Sequence, residues 1–171
     1  MIRNITLPYE VLYIMSTLEA YEHKAYVVGG AVRDLLLGKE VHDFDMASSA
    51  TPEEVKRIFS FHDLGHPGEG HGTIGIVLNN KVYELTTFRR DGNYRDHRRP
   101  DFVEFSTTLA DDVKRRDFTI NALAYHPVDG VIDYVGGLKD LSDGVLRTVG
   151  NPGKRFEEDA LRIVRAFRFS A

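Results

Sequence analysis

The run Ala25-Tyr26-Val27-Val28 stops at Gly29-Gly30, and a helix-forming stretch from Ala31 to Leu37 follows it before Gly38. This junction constrains the fold more than any other stretch of the chain. Valine and aromatic side chains suit a pleated strand. A glycine pair lets the backbone turn sharply where a Cβ would obstruct it, and Gly38 supplies a helix stop. A strand that enters a helix through so short a turn leaves backbone N–H groups pointing outward at the helix start. The next stretch, residues 41–48 (VHDFDMAS), alternates in the manner of a strand. Residues two apart on a strand share a face, so Asp43 and Asp45 stand together while Phe44 turns toward the core.

The flanking sequence fills in the architecture. Val11, Leu12, Met15 and Leu18 recur at helical spacing across residues 8–23. Thr51-Pro52-Glu53-Glu54 reads as a helix start, with Thr51 as cap and Glu54 closing a capping box, and the helix runs to about Phe59. TIGIVL (73–78) and KVYELTTF (81–88) flank Asn79-Asn80, the signature of a two-residue hairpin. A charged loop (89–101), a strand (102–106), a helix (about 108–115) and a mixed segment (116–126) come next. VIDYV, a Gly136-Gly137 turn and VLRTVG complete the compact part. The last segment, about 155–171, reads as one helix without a C-terminal stop, so the helix is expected to belong to a larger parent protein. Helix, strand, helix, strand, helix and then a run of strands is an α+β or mixed order, not a regular βαβ alternation.

Composition narrows the function classes. The chain has 171 residues, of which 42% are hydrophobic and 28% charged, a globular profile. With no cysteine, disulfides and thiolate metal sites are excluded. The charged, proline-containing start is not a signal peptide and no stretch is apolar enough to span a membrane, so a cytoplasmic protein is expected. The net charge of −4 does not advertise nucleic-acid binding. Basic character is local, in Arg89, Arg90, Arg95, Arg98 and Arg99 and again in Lys114, Arg115 and Arg116.

Phosphoryl chemistry is the reading that unites these features. Gly30 and its neighbours let backbone approach a phosphate, and Arg33, one turn into the helix, can bind a phosphate oxygen pair as a fork. Asp43 and Asp45 repel each other unless a cation lies between them, and hard oxygen ligands favour Mg²⁺ or Mn²⁺. Glu84, alternating with Val82 in its strand, is the natural third carboxylate. His62, His66 and His71 lie in a glycine- and proline-rich segment whose spacing fits no standard zinc site, and a flexible loop is the expectation there.

Four motifs then occur in order: Gly29-Gly30-x-Val32-Arg33-Asp34; Asp43-Phe44-Asp45; Arg115-Arg116-Asp117-Phe118-Thr119-Ile120-Asn121-Ala122; and Glu158-Asp159-Ala160-Leu161-Arg162-x-x-Arg165-x-x-Arg168-Phe169. Together they resemble the bacterial-type (class II) CCA-adding tRNA nucleotidyltransferase and poly(A) polymerase family, within the polymerase-β-like superfamily. The resemblance implies an α+β head domain, a small mixed sheet with flanking helices, over residues 1–150, followed by the beginning of a helical neck over residues 151–171. It implies that Asp43 and Asp45 hold two Mg²⁺ ions, with Mn²⁺ as an alternative. It further implies that Gly30, Arg33 and Arg116 hold the triphosphate of CTP or ATP, and that Asp117 and Asn121 organise the sugar side. The partner it implies is the 3′ end of tRNA, gripped mainly by residues beyond 171.

On a single helix, residues three apart turn by about 300°, so the Asp159, Arg162, Arg165, Arg168 stripe drifts by about 60° per step. Asp159 and Arg162 can then meet one ligand together, while Arg168 lies half a turn away. The resemblance gives the first pair the role of reading the base edge and leaves Arg165 and Arg168 to face phosphate or brace the helix. Glu-Asp-Ala-Leu-Arg looks more like CCA-adding members than poly(A) polymerases, and the loop from Arg89 to Val103 resembles one that members adding only C tend to lack; a poly(A)-, A- or CC-adding relative stays an alternative. An NTP-binding head that cannot extend RNA by itself is the remaining alternative.

Overall fold

The computed structural model describes residues 5–92 and 102–170. Helix α1 (Tyr9–Ala20) buries Val11, Ile14, Met15 and Leu18, and leads into β1 (Ala25–Val28). Helix α2 (Gly30–Leu36) follows, and β2 (Met46–Ser48) begins directly after the aspartate pair. Helix α3 (Pro52–Ile58) starts with the full capping box, Thr51 accepting from the Glu54 amide and Glu54 accepting from the Thr51 amide. Strands β3 (Leu64–Gly68), β4 (Thr73–Leu78) and β5 (Lys81–Thr87) come next. Asn79 and Asn80 turn the β4–β5 hairpin with φ of 50° and 60°, the left-handed pair that a two-residue turn needs.

Strands β8 (Ala124–His126) and β9 (Gly130–Ile132) complete a seven-stranded sheet of order β3-β4-β5-β2-β1-β8-β9. Among the described strands, β2 and β5 form the one parallel pair, with Met46 opposite Leu85. The mixed sheet with flanking helices is the α+β architecture expected. Alternation divides β1 between two cores. Ala25 and Val27 pack with Met46, Leu85 and the helices α1 and α3, whereas Val28 packs with Ala47, Phe88 and Ala124 under Leu109 and Val113 of helix α4 (Leu109–Lys114).

Four local expectations change. The stretch 64–68 is not a loop but an edge strand, where glycine and proline are tolerated because one side of the backbone needs no ladder partner. Arg89–Asp91 is not loop but strand β6, paired with β7 (Val103–Phe105) in a two-stranded ribbon. Arg95, Arg98 and Arg99 lie outside the described residues, as does the side chain of His66. Gly136-Gly137 is not a strand turn but the start of helix α5 (Gly137–Asp143). Asp133 satisfies the open helix start by accepting from the amides of Gly136, Gly137 and Leu138. Gly137 is required there, since a Cβ would collide with the Thr119 carbonyl oxygen. VLRTVG contributes only an isolated bridge, Phe118 with Thr148.

The C-terminal segment is two helices, not one. Helix α6 (Pro152–Glu158) is capped by Asn151, which accepts from the Lys154 amide, and helix α7 spans Leu161–Ser170. Between them Asp159 is extended (φ −144°, ψ 105°), and its Oδ1 accepts from the Leu161 amide. A short carboxylate that bonds the backbone two residues on competes with helix continuation.

Candidate active site

A cavity of about 670 Å³ opens on the sheet face that carries Val28 and Ala47. Its floor is the β1–α2 turn. Gly29 has φ 74° and ψ −137°, and its amide donates to Leu123 O, so the turn is held against β8. A Cβ on Gly29 would sit 3.2 Å from Arg116 Nη1, so this glycine also admits the arginine. The Val28 amide donates to Asp45 O at 2.9 Å, which ties the carboxylate segment to the end of β1. Residues 41–45 form no strand, contrary to the expectation for 41–48, but lead directly into β2; even so Phe44 is buried, and Asp43 and Asp45 are exposed on either side of it.

Asp45 lines the cavity; Asp43 and Glu84 do not. Glu84 is exposed on β5, opposite Gly75 of β4. Continuing the Met46–Leu85 parallel register back by one residue brings Glu84 alongside Asp45. Among the described residues, no cluster of three or more His, Asp or Glu side chains could hold a metal, so Glu84 does not join Asp43 and Asp45 in one. The aspartate pair itself fits a divalent cation. Both carboxylates are accessible hard donors, and neither accepts a hydrogen bond from a described residue. Partial burial pushes the Asp45 carboxyl above its ordinary value; the Arg116 charge opposes this and the Asp43 charge adds to it.

Opposite the carboxylates runs a chain of polar contacts. Arg33 grips Asp34 through Nε and Nη2, both at 2.9 Å, and donates from Nη1 to Asn121 Oδ1. Asn121 donates to Asp117 Oδ1 at 3.4 Å, and Asp117 Oδ2 accepts from Arg165 Nε at 2.7 Å. Phe169 lies between the two guanidinium groups, 4.9 Å from that of Arg33 and 5.4 Å from that of Arg165. Arg116 is set by Asp112, whose Oδ2 accepts from Nε at 3.2 Å and Nη2 at 2.9 Å. Burial alone would raise the Asp112 carboxyl, but Arg116 and Arg115 more than offset this and hold it below its ordinary value.

Asp159, Arg162, Arg165 and Arg168 all line the same cavity. On a single continuous helix Arg168 would lie half a turn from Asp159; the break at Asp159 removes that limit. Arg162 is only 5% exposed and donates from Nη1 to Glu158 Oε2 at 2.8 Å and to Arg155 O at 3.0 Å. Sequence reasoning missed Asp112 and Glu158 as the partners that aim these arginines. Their signal was the acid placed three or four residues before each arginine. It also missed the far wall, made by Gly68, His71 and Thr73 beside β3 and β4.

A family profile described as the poly(A) polymerase head domain matches residues 25–147. The chain belongs to this family. Similarity extends beyond the matched region. A CCA-adding enzyme of Ligilactobacillus salivarius is 51% identical over 162 residues, covering 95% of this chain and 40% of its own length. The Bacillus stearothermophilus CCA-adding enzyme in complex with CTP superposes with a TM-score of 0.85 at 43% identity, over 96% of this chain and 39% of that one. The Thermotoga maritima CCA-adding enzyme complexed with tRNA_CCA matches with a TM-score of 0.74 at 30% identity, over 95% of this chain and 38% of that one. The chain thus spans about 40% of the length of the relatives it matches. Among the described residues of this head-family chain, no helix is long and apolar enough to cross a membrane.

Proposed function

We propose that this chain carries the catalytic site for template-independent addition of C and A to the 3′ end of tRNA, with CTP and ATP as donors. The observation that carries the reading is the single cavity where a glycine turn, a carboxylate and the arginines of three separate motifs meet. The relatives named CCA-adding enzymes, one of them in complex with CTP and another with tRNA, support the same choice of substrates. In this reading residues 1–150 form the head and 151–171 the start of the neck, and the protein works in the cytoplasm.

The RNA 3′-hydroxyl attacks the α-phosphate; the new O–P bond forms as the bond to the pyrophosphate breaks, and the hydroxyl proton is lost. Asp43 and Asp45 would hold divalent metal, Mg²⁺ with Mn²⁺ as an alternative, and two such ions when bound would activate the hydroxyl and steady the pyrophosphate. Glu84 supports Asp45 from the neighbouring strand. Gly30 lets backbone approach the triphosphate, and Arg33 and Arg116, each already oriented by a carboxylate, bind its oxygens. Asp117 and Asn121 sit between Arg33 and Arg165 and set the sugar side. Asp159 has an oxygen that bonds the Leu161 amide, and its other oxygen can accept from an exocyclic amine, which cytosine and adenine both present. Arg162 supplies the matching donor, while Arg165 and Arg168 face phosphate.

The test is incubation with tRNA lacking its CCA end, CTP, ATP and Mg²⁺, with products resolved on a sequencing gel. Addition of C, C and then A is expected, and GTP and UTP should not be used. Loss of discrimination among the four nucleotides in Asp159→Ala would support base reading; equal use of all four by the unsubstituted chain would overturn it.

A further inference from the structure

Beside the first cavity lies a second, of about 420 Å³, which shares Asp91 and Arg115 with it. The partition between them rests on two carboxylates that each hold two arginines. Asp112 accepts from Arg115 Nε at 2.9 Å and from Arg116 Nη2 at 2.9 Å. Glu158 accepts from Arg155 and from Arg162, both at 2.8 Å. Arg116 and Arg162 line the first cavity, Arg155 lines the second, and Arg115 lines both. One carboxylate cannot neutralise two guanidinium groups, so each trio keeps a surplus positive charge.

The outer wall repeats the pattern. Asp111 pairs with Arg90 at 2.7 Å and lies 3.9 Å from the Lys114 ammonium, whose side chain is 74% exposed. Lys154 adds another exposed cation. Among the described residues, five cationic against three acidic therefore line this cavity, although the chain as a whole carries −4. Among the described lining residues there is no aromatic and no large apolar side chain, so none of them offers a platform on which a base could stack. Cations without a stacking surface suit a backbone phosphate.

We propose that this second cavity seats the phosphodiester backbone of the RNA strand just upstream of the 3′ end that enters the first cavity. The inference rests on the reading of the first cavity as a site of RNA 3′-end extension. Free polyphosphate offers the same chemistry and is the competing source.

The variant Lys114→Glu/Lys154→Glu reverses two exposed charges that have no part in nucleotide binding. Its affinity for a fluorescent single-stranded RNA ending in C-C, measured by anisotropy over a salt series, should fall about tenfold or more. The slope of log affinity against log salt should shrink by about 0.7 for each phosphate that is no longer neutralised. Affinities for CTP and for tripolyphosphate, measured by calorimetry, should not change. Lys154→Gln alone should give a smaller loss in the same direction, and Lys114→Arg/Lys154→Arg should restore binding. Unchanged RNA affinity in the reversed variant overturns the proposal. So does an equal loss of tripolyphosphate binding, or the absence of salt-dependent RNA binding by the unsubstituted chain. Failure of the extension reading would appear separately, as no CTP binding and no extension while the RNA affinities of the two proteins still differ.

Discussion

Asp45 and the arginines of α7 face one cavity but are held in opposite ways. Asp45 is fixed through its backbone: its carbonyl pairs with β1 and the preceding Phe44 is buried, while its carboxylate accepts no hydrogen bond from a described residue. Arg162 and Arg165 are fixed through their charged ends, on Glu158 and Asp117 respectively. A carboxylate positioned by its backbone keeps its oxygens for whatever enters the cavity. An arginine positioned by its guanidinium spends donors on aim: Arg165 gives its Nε–H to Asp117, and Arg162 donates from Nη1 to Glu158 and Arg155 O and from Nη2 to Arg115 O. The carboxylate side should therefore be functionally critical and structurally cheap to alter, and the arginine side should couple binding to stability.

The sharpest test of that contrast is Asp45→Ala. Nucleotide addition should fall by about a thousandfold or more, since the charge stabilisation at stake amounts to several kcal/mol, while the melting temperature stays nearly constant. A large fall in melting temperature would break the comparison. On the other side, Asp112→Ala strands Arg115 and Arg116 around a buried site and should cost about 3–5 kcal/mol in a urea titration. Arg165→Ala should weaken CTP binding about tenfold, the order of one charged hydrogen bond, because Asp117 loses its partner across the cavity; titration calorimetry would measure it.

The smallest expected effect concerns the base of the Asp117–Asn121 segment. The Thr119 hydroxyl donates to Asp140 at 2.7 Å and holds its carboxyl below the ordinary value, against the effect of burial and with help from Arg147. A carboxylate depressed in this way stabilises the fold above its unfolded pKa of about 3.9, and that contribution is lost as the pH falls through the lower folded value. Melting temperatures of the unsubstituted chain should therefore decline from about pH 4 downward, and those of Asp140→Asn should start lower and decline less steeply. Parallel curves would show that Asp140 contributes nothing through its charge.

Much of this contrast was legible beforehand on one side only. The buried Phe44 between exposed Asp43 and Asp45, the Gly29-Gly30 turn and the Asn79-Asn80 hairpin follow from short periodicities and from glycine or asparagine at positive φ, although Asp45 lines the cavity and Asp43 does not. The arginine side was legible as residues but not as geometry. The start of α5 had a local signal that was not read, Asp133 three to five residues before the amides it caps; its seating against the Thr119 carbonyl, which only Gly137 admits, is a contact at long range. The three-residue spacing of Asp159, Arg162, Arg165 and Arg168 did not disclose the break at Asp159. The carboxylate there offered both a helical position and a cap, and Asn151 had already started a separate helix.

What the sequence by itself determined is which side chains share a strand face, where the capped helices begin and which residue types could meet a phosphate. Those properties rest on interactions between residues within four or five positions of one another. What only the tertiary structure decided is how the motifs close around one space. Arg33 with Asn121, Arg165 with Asp117, and Arg162 with the Arg115 carbonyl lie 88, 48 and 47 residues apart. Contacts at that range depend on the path of the whole chain, because the energy that selects them comes from burial of the two cores rather than from local propensity.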